Sequence, residues 1–168
     1  MKRFLIASLA ILMLFSLASC QKQDQYADVE PEILIQKGLS ALGDGVKYTE
    51  VEDEEYYLSD YFTEPEWVDD SEIYVAVNQA QGSGYNINEV GIFEVEGNHS
   101  SDMRQKLRSY LEDSYKNNQS WYDSYMPEET PKLRDAEVKV FGKYVVYAIL
   151  NKEDRAAFFD AVENELLK

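Results

Sequence analysis

Val138-Lys139-Val140-Phe141-Gly142-Lys143-Tyr144-Val145-Val146-Tyr147-Ala148-Ile149-Leu150 reads as two strands joined by a two-residue turn. Gly142 supplies the positive φ that such a turn demands, so the flanking strands are antiparallel neighbours. The run from Tyr144 to Leu150 is apolar at every position instead of every second one. A strand of that composition lies inside a sheet with cover on both faces. Asn151 then caps a last helix, whose buried stripe is Phe158, Val162 and Leu166.

Upstream of this hairpin, a helix is predicted to begin at Ser100 or Ser101. It places Met103, Leu107, Tyr110, Leu111, Ser114, Asn118, Trp121, Tyr122 and Tyr125 on one face, and Pro127 and Pro131 terminate it. From Ser101 to Tyr125 it would measure roughly 36 Å, enough to cross a small domain, so it is expected to lie across the sheet. Ile73, Val75 and Val77 alternate with Tyr74, Ala76 and Asn78, the period of a half-buried strand. After Gln81-Gly82-Ser83-Gly84, a second strand over 89–96 completes another hairpin. Asp28 precedes a first helix with Pro31 in its opening turn and Ile35, Leu39 and Leu42 at helical spacing, ended by Gly43-Asp44-Gly45. A short helix is expected over 53–62, stopped by Pro65. The pattern predicts one α+β domain: a four-stranded antiparallel sheet built from two hairpins, a long central helix, and N- and C-terminal helices.

The N-terminus has a different logic. Lys2-Arg3 precedes an apolar run from Phe4 to Leu17, and small residues lead into Cys20 within Leu17-Ala18-Ser19-Cys20. A positive n-region, a short apolar region and a small-residue cleavage point, in that order, describe a signal peptide. The run is too short to compete with a membrane span of about 20 residues. The motif resembles the lipobox of bacterial lipoproteins. That resemblance implies removal of residues 1–19 and attachment of diacylglycerol to the sulfur of Cys20, with palmitate-class acyl chains anchoring the protein to the extracytoplasmic face of the cell membrane. Residues 20–28 are then expected to form a polar tether and residues 29–168 the single domain. Two or more acyl chains are needed for stable anchoring. The competing reading is an ordinary secretory signal with an accidental cysteine.

Charge narrows the partners. The chain holds 16 Lys and Arg against 32 Asp and Glu, a formal charge of −16, which becomes −18 once the signal is removed. Between Lys47 and Arg104 there is no Lys or Arg but there are 15 acidic residues. Phosphate binding needs clustered Lys and Arg, so a nucleic-acid partner is disfavoured, as is electrostatic adhesion to anionic lipid. The lipid on Cys20 is the expected membrane contact. Cys20 is the only cysteine and His99 the only histidine, which excludes a disulfide and leaves little scope for imidazole chemistry.

Asn88-Glu89-Val90-Gly91-Ile92-Phe93, the long helix, Tyr122-Asp123-Ser124-Tyr125-Met126-Pro127-Glu128, Lys132-Leu133, Asp135-Ala136, Val138 and Gly142-Lys143-Tyr144-Val145-Val146-Tyr147 recur in that order. In this the chain resembles uncharacterised bacterial lipoproteins containing domain-of-unknown-function family 4358, over roughly 29–168. The resemblance implies a small secreted or lipid-anchored domain with no established activity, and no functional residue is carried over from it.

The candidate chemistry is sparse. His99, in Gly97-Asn98-His99-Ser100, fits a solvated turn before a helix better than a catalytic base held by a third group. Paired carboxylates for glycoside cleavage are defined by separation in space, which sequence spacing does not reveal. Tyr56, Tyr57, Tyr61, Trp67, Tyr74 and Tyr85 could stack on a sugar or surround a cation, although half of such a set faces the core at helical or strand period. Asp69-Asp70-Ser71-Glu72 lacks the ligand spacing of a calcium loop, and Gly82-Ser83-Gly84 lacks the lysine of a phosphate loop. No catalytic residue, metal site or cofactor is assigned. The expected working surface is the acidic, tyrosine-rich region from Glu50 to Tyr85, with Tyr56, Tyr57, Tyr61, Trp67, Asp69, Asp70 and Tyr85 as its candidate contacts. It suits a non-enzymatic binding module for a basic protein, a polycation or an envelope glycan. The alternatives are an envelope hydrolase with paired carboxylates and a small solute- or calcium-binding lipoprotein.

Overall fold

Glu137–Phe141 (β4) and Tyr144–Ile149 (β5) pair antiparallel about the Gly142-Lys143 turn, with Phe141 opposite Tyr144 and Glu137 opposite Ala148. Gly142 takes φ +56°, the left-handed conformation expected of it. The computed structural model describes residues 25–43, 45–50, 71–80, 86–97 and 100–168. Its elements before this hairpin are α1 (Pro31–Ser40), β1 (Tyr48–Glu50), β2 (Ser71–Ala80), β3 (Glu89–Gly97), α2 (Ser100–Tyr125) and α3 (Thr130–Arg134), and α4 (Lys152–Leu166) follows it.

The sheet runs β1-β2-β3-β5-β4, and every neighbouring pair is antiparallel. It therefore has five strands among the described residues, not the expected four. The added strand, β1, pairs Tyr48 with Ala80 and Glu50 with Asn78. Three residues are too few to show a two-residue period, which is why the pattern of apolar positions does not reveal it. The mixed α and β content, the antiparallel pairing and both predicted hairpins are present.

All six residues of β5 are buried, because helices cover both faces of the sheet. Strand alternation sorts the core into two clusters. Val90, Ile92, Tyr144, Val146 and Ala148 pack with Leu34 and Ile35 of α1 and Phe158, Val162 and Leu166 of α4. Their neighbours Phe93, Val95, Val145, Tyr147 and Ile149 pack with Met103, Leu107, Leu111 and Tyr115 of α2 and Leu133 of α3. Asn151 caps α4 as its sequence predicts, its Oδ1 accepting from the Asp154 N–H at 2.9 Å.

Two expectations about α2 are corrected. Its buried stripe ends at Tyr115, with Tyr122 half-buried, whereas Trp121 and Tyr125 are 52% and 69% exposed. The helix is about 39 Å long, while six residues of strand span about 20 Å, so its last turns outrun the apolar surface. Pro131 also does more than end a helix, since it sits in the first turn of α3, where its missing N–H costs nothing.

The first described residues are fastened to the last elements. Tyr144 Oη donates to the Val29 carbonyl and accepts from the Val29 N–H, both at 2.8 Å. The Ala27 N–H donates to the Leu166 carbonyl at 2.7 Å, and Tyr26 packs edge-on against Phe141. Glu30 occupies the N-cap position of α1 without a side-chain cap bond, and Asp28 pairs with Lys143 at 2.6 Å.

Candidate functional site

Cys20, Tyr56, Tyr57, Tyr61, Trp67, Asp69, Asp70, Tyr85 and His99 lie outside the described residues, as do the short helix expected over 53–62 and Gly82-Ser83-Gly84. Of the predicted surface, Glu50 is exposed in β1 and Tyr74 sits in β2 opposite Glu94. The described residues assemble a site elsewhere, from positions the sequence pattern does not single out.

That site is a cleft of about 280 Å³ at the end of the sheet where Glu89 faces Ile149. Gln79 and Ala80 close β2, Asn86 to Glu89 lead into β3, and Trp121, Tyr122 and Met126 descend from the end of α2. Leu133 and Ile149 supply the apolar base. The Trp121 ring packs against Tyr122 with centroids 4.9 Å apart, and against Tyr125 at 5.0 Å. A cluster of rings left half or more in water at Trp121 and Tyr125 is an unusual use of apolar area.

The polar groups are held in place. Glu89 accepts from Tyr147 Oη at 2.5 Å on one carboxylate oxygen and from Gln79 Nε2 at 2.6 Å on the other. Tyr147 is itself fully buried, against Gly91 on the facing strand, where no side chain intrudes. Burial, and then the Glu89 charge, push the Tyr122 hydroxyl above the ordinary tyrosine range, so it stays protonated as a donor at neutral pH. Asn86 Oδ1 accepts from the Asn88 N–H at 2.9 Å and from Lys132 Nζ at 3.4 Å, which fixes the amide plane. Glu129 accepts from the Ile87 N–H at 3.0 Å and from Lys132 at 2.8 Å, clamping the strand entry to α3. Buried Asn88 donates to the Tyr48 hydroxyl at 3.1 Å, tying β1 to the same corner.

At the opposite end of the sheet, Lys143 pairs with Asp28, Glu94 and Glu96, and its ammonium lies 5.5 Å from the Tyr144 ring centroid. Burial works to lower its pKa, but the hydrogen bonds to the three carboxylates outweigh it and raise the pKa above the ordinary lysine value. Burial pushes the Glu94 carboxyl up against the opposing pull of Lys143. One cation shared by three acids leaves the most enclosed of them the least comfortable as an anion. Among the described residues no group of three His, Cys, Asp or Glu side chains could hold a metal ion, and no helix is long and apolar enough to cross a membrane.

The family described as Domain of unknown function (DUF4358) matches residues 49–150. The chain belongs to that family. No curated protein and no solved structure matches it. The DUF4358 segment contains every residue that lines the cleft, together with β2 to β5, α2 and α3. Helices α1 and α4, which cover the other face of the sheet, fall outside it, as do Tyr26, Asp28 and Val29. The cleft thus lies wholly within the matched residues, whereas the docked N-terminal segment lies outside them.

Proposed function

We propose that this protein is a lipid-anchored, extracytoplasmic binding module without catalytic activity, and that the cleft at the Ile149 end of the sheet is its working surface. The observation that carries the reading is the pairing of exposed rings with engaged carboxylates. Glycoside hydrolysis requires one carboxyl that gives up a proton and another available as base or nucleophile. The two acids at this corner are occupied: Glu89 by Tyr147 and Gln79, Glu129 by the Ile87 N–H and Lys132. Trp121 and Tyr125, by contrast, are 52% and 69% exposed and offer ring surface to a partner.

The fastened N-terminus supports the orientation. Lipid on Cys20 would lie within about 20 Å of Tyr26 even on a fully extended chain, which keeps the Tyr144 end of the sheet toward the bilayer. From Tyr144 to Ile149 the strand advances about 17 Å, carrying the cleft away from the membrane and toward the envelope. The acidic stretch from Glu50 to Glu72 would repel anionic headgroups and speed encounter with basic partners.

Two measurements on the full chain test this. Globomycin should block processing, and Cys20→Ser should release the protein from the membrane fraction; unchanged processing and retention refute the anchor. A photo-crosslinking residue at Asn86 should capture an envelope component in intact cells, while one at Ser109, on the exposed face of α2, should not. Equal capture from both positions, or none from Asn86, refutes the cleft as the working surface.

A further inference from the structure

We infer that the exposed end of α2 seats an arginine of a basic polypeptide segment, its guanidinium lying on the Trp121 and Tyr125 rings beside Glu128. This rests on the reading of that corner as the working surface and names the chemistry of its partner.

The first argument is the ring pair. Trp121 and Tyr125 stand one helical turn apart, so they share a face of α2, and their rings lie 5.0 Å apart at 32°. Tyr122 braces the Trp121 ring edge-on at 4.9 Å and 80°. A pre-set ring pair facing water is a platform for a planar cation, which the negative ring faces attract. Elsewhere the fold fills such positions from its own chain: Lys139 lies over Phe159, and Lys143 beside the Tyr144 ring. Among the described residues no cation lies over Trp121 or Tyr125.

The second argument is charge. From Asn117 to Pro131 the chain has three acidic residues and no Lys or Arg. The last turn of α2 therefore holds no basic side chain to offset the partial negative charge of a helix C-terminus. Pro127 stands four residues after Asp123, where an N–H would ordinarily meet the Asp123 carbonyl, and proline has none. Glu129 is bound by Lys132 and the Ile87 N–H, whereas Glu128 is exposed beside Tyr125 and has no ion pair among the described residues. A guanidinium supplies what this end lacks: a full positive charge, a flat face for the rings, and five donors for carboxylate and carbonyl oxygens.

The third argument fixes the occupant as another protein and not a second copy of this chain. Of the arginines that follow the signal, Arg104 and Arg155 are buried, and Arg108 and Arg134 are paired with Glu112 and Asp135. A chain of formal charge −16 also repels itself. The strands that reach this corner, β2, β3 and β5, are interior, so a polypeptide is gripped here by its side chains and not by strand addition. Hollows of about 280 and 220 Å³, one lined by Trp121 and the other by Tyr125, adjoin at Met126, which leaves room on both sides for the residues flanking the arginine.

The test uses the full chain in detergent and the fluorescence anisotropy of two labelled decapeptides. One carries arginines spaced by glycine and serine; the other has citrulline in their place, which keeps the planar shape and loses the charge. At low salt the arginine peptide should saturate below about 1 mM, with the citrulline peptide roughly tenfold weaker. Trp121→Ala leaves the net charge untouched, so it separates this site from general attraction to an acidic chain, and it should weaken the arginine peptide roughly tenfold. Glu128→Gln should weaken it about threefold and flatten its salt dependence. Trp121 is half exposed, so its truncation leaves the fold intact, which circular dichroism verifies; Tyr125→Ala, at a residue 69% exposed, repeats the measurement on the second ring. No saturation below about 1 mM, equal binding of the two peptides, or equal binding by Trp121→Ala overturns the assignment. A dimer of the peptide-free chain in sedimentation, dissolved by Trp121→Ala, overturns it in favour of a second copy. Failure of the arginine peptide with Asn86 crosslinking intact leaves the binding module standing, and loss of that crosslinking in cells removes both.

Discussion

Replacing Gly91 with alanine sets one methyl group against a fully buried, hydrogen-bonded ring. A Cβ at position 91 would lie 2.1 Å from Tyr147 Cε1, 2.6 Å from Cζ and 2.9 Å from Cδ1. The ring cannot step aside cheaply. Tyr147 is fully buried, with the Phe93 ring at 6.1 Å and the Tyr115 ring at 5.6 Å, and its hydroxyl is bound to Glu89 at 2.5 Å. Overpacking a close-packed core costs about 1–3 kcal/mol. A displaced ring also surrenders its hydrogen bond to a charged group, about 1.5–3 kcal/mol, while the lost glycine entropy returns about 0.5–1 kcal/mol. The expected net destabilisation is about 2–5 kcal/mol, a large share of the ~5–15 kcal/mol that holds a domain of this kind. Urea denaturation followed by circular dichroism measures it. Tyr147→Leu in the Gly91→Ala background removes the ring that collides, so the double mutant should be more stable than the sum of the single effects by over about 1 kcal/mol. Strict additivity, or a Gly91→Ala domain within about 0.5 kcal/mol of wild type, refutes the reasoning.

Three further outcomes follow from other contacts. Lys143 has a raised folded-state pKa, so its contribution is complete below the ordinary lysine value of 10.5 and is lost as pH climbs from there. The melting temperature should therefore fall more steeply above pH 10.5 in wild type than in Lys143→Met, and parallel curves contradict the assignment. Asn151→Ala should cost about 1 kcal/mol through the lost cap on α4, while Asn151→Asp retains it; equal thermal melts for the two variants refute the cap. Arg155→Met, which removes a buried guanidinium bonded to Glu137 at 2.9 Å and to the Leu150 carbonyl at 3.1 Å, should cost about 1–3 kcal/mol in urea. Glu137→Gln should cost less, because Glu137 is half exposed; the reverse order refutes that account.

The elements whose signals are local were legible from the residues. Gly142 announces a turn, the uninterrupted apolar run after it announces a doubly covered strand, and Asn151 announces a helix start, all without reference to distant contacts. Strand β1 was illegible because three residues carry no period and its place is set by pairing with residues 78–80. The helical face was read correctly as far as Leu111 and then too far, because periodicity specifies a direction around the helix but not where the sheet beneath it ends. The cleft escaped for a related reason. Gln79, Asn86, Glu89 and Trp121 are scattered along the chain, and what joins them is the antiparallel return of β2 on β3 beneath the end of α2. Two signals pointed there: a glycine within a strand pattern at Gly91, which marks close approach, and Trp121 and Tyr125 near the end of a helix longer than a six-residue strand can cover. The candidate contacts of the acidic, tyrosine-rich stretch lie outside the described residues, and composition alone reports their charge and not their geometry.

The attachment of Val29 to Tyr144 and of Tyr26 to Glu163 spans 115 and 137 residues of chain. A polypeptide emerges N-terminus first, so the segment around Tyr26 waits for almost the whole remaining chain before its partners exist. At about 5–20 residues per second that delay is roughly 7–27 s during synthesis. Closing so long a loop yields nothing until its end, because its entropy is spent before any contact repays it. The segment from Tyr26 to Val29 is therefore among the last to be secured, and protection of the Ala27 amide from hydrogen exchange would be a marker of completed folding.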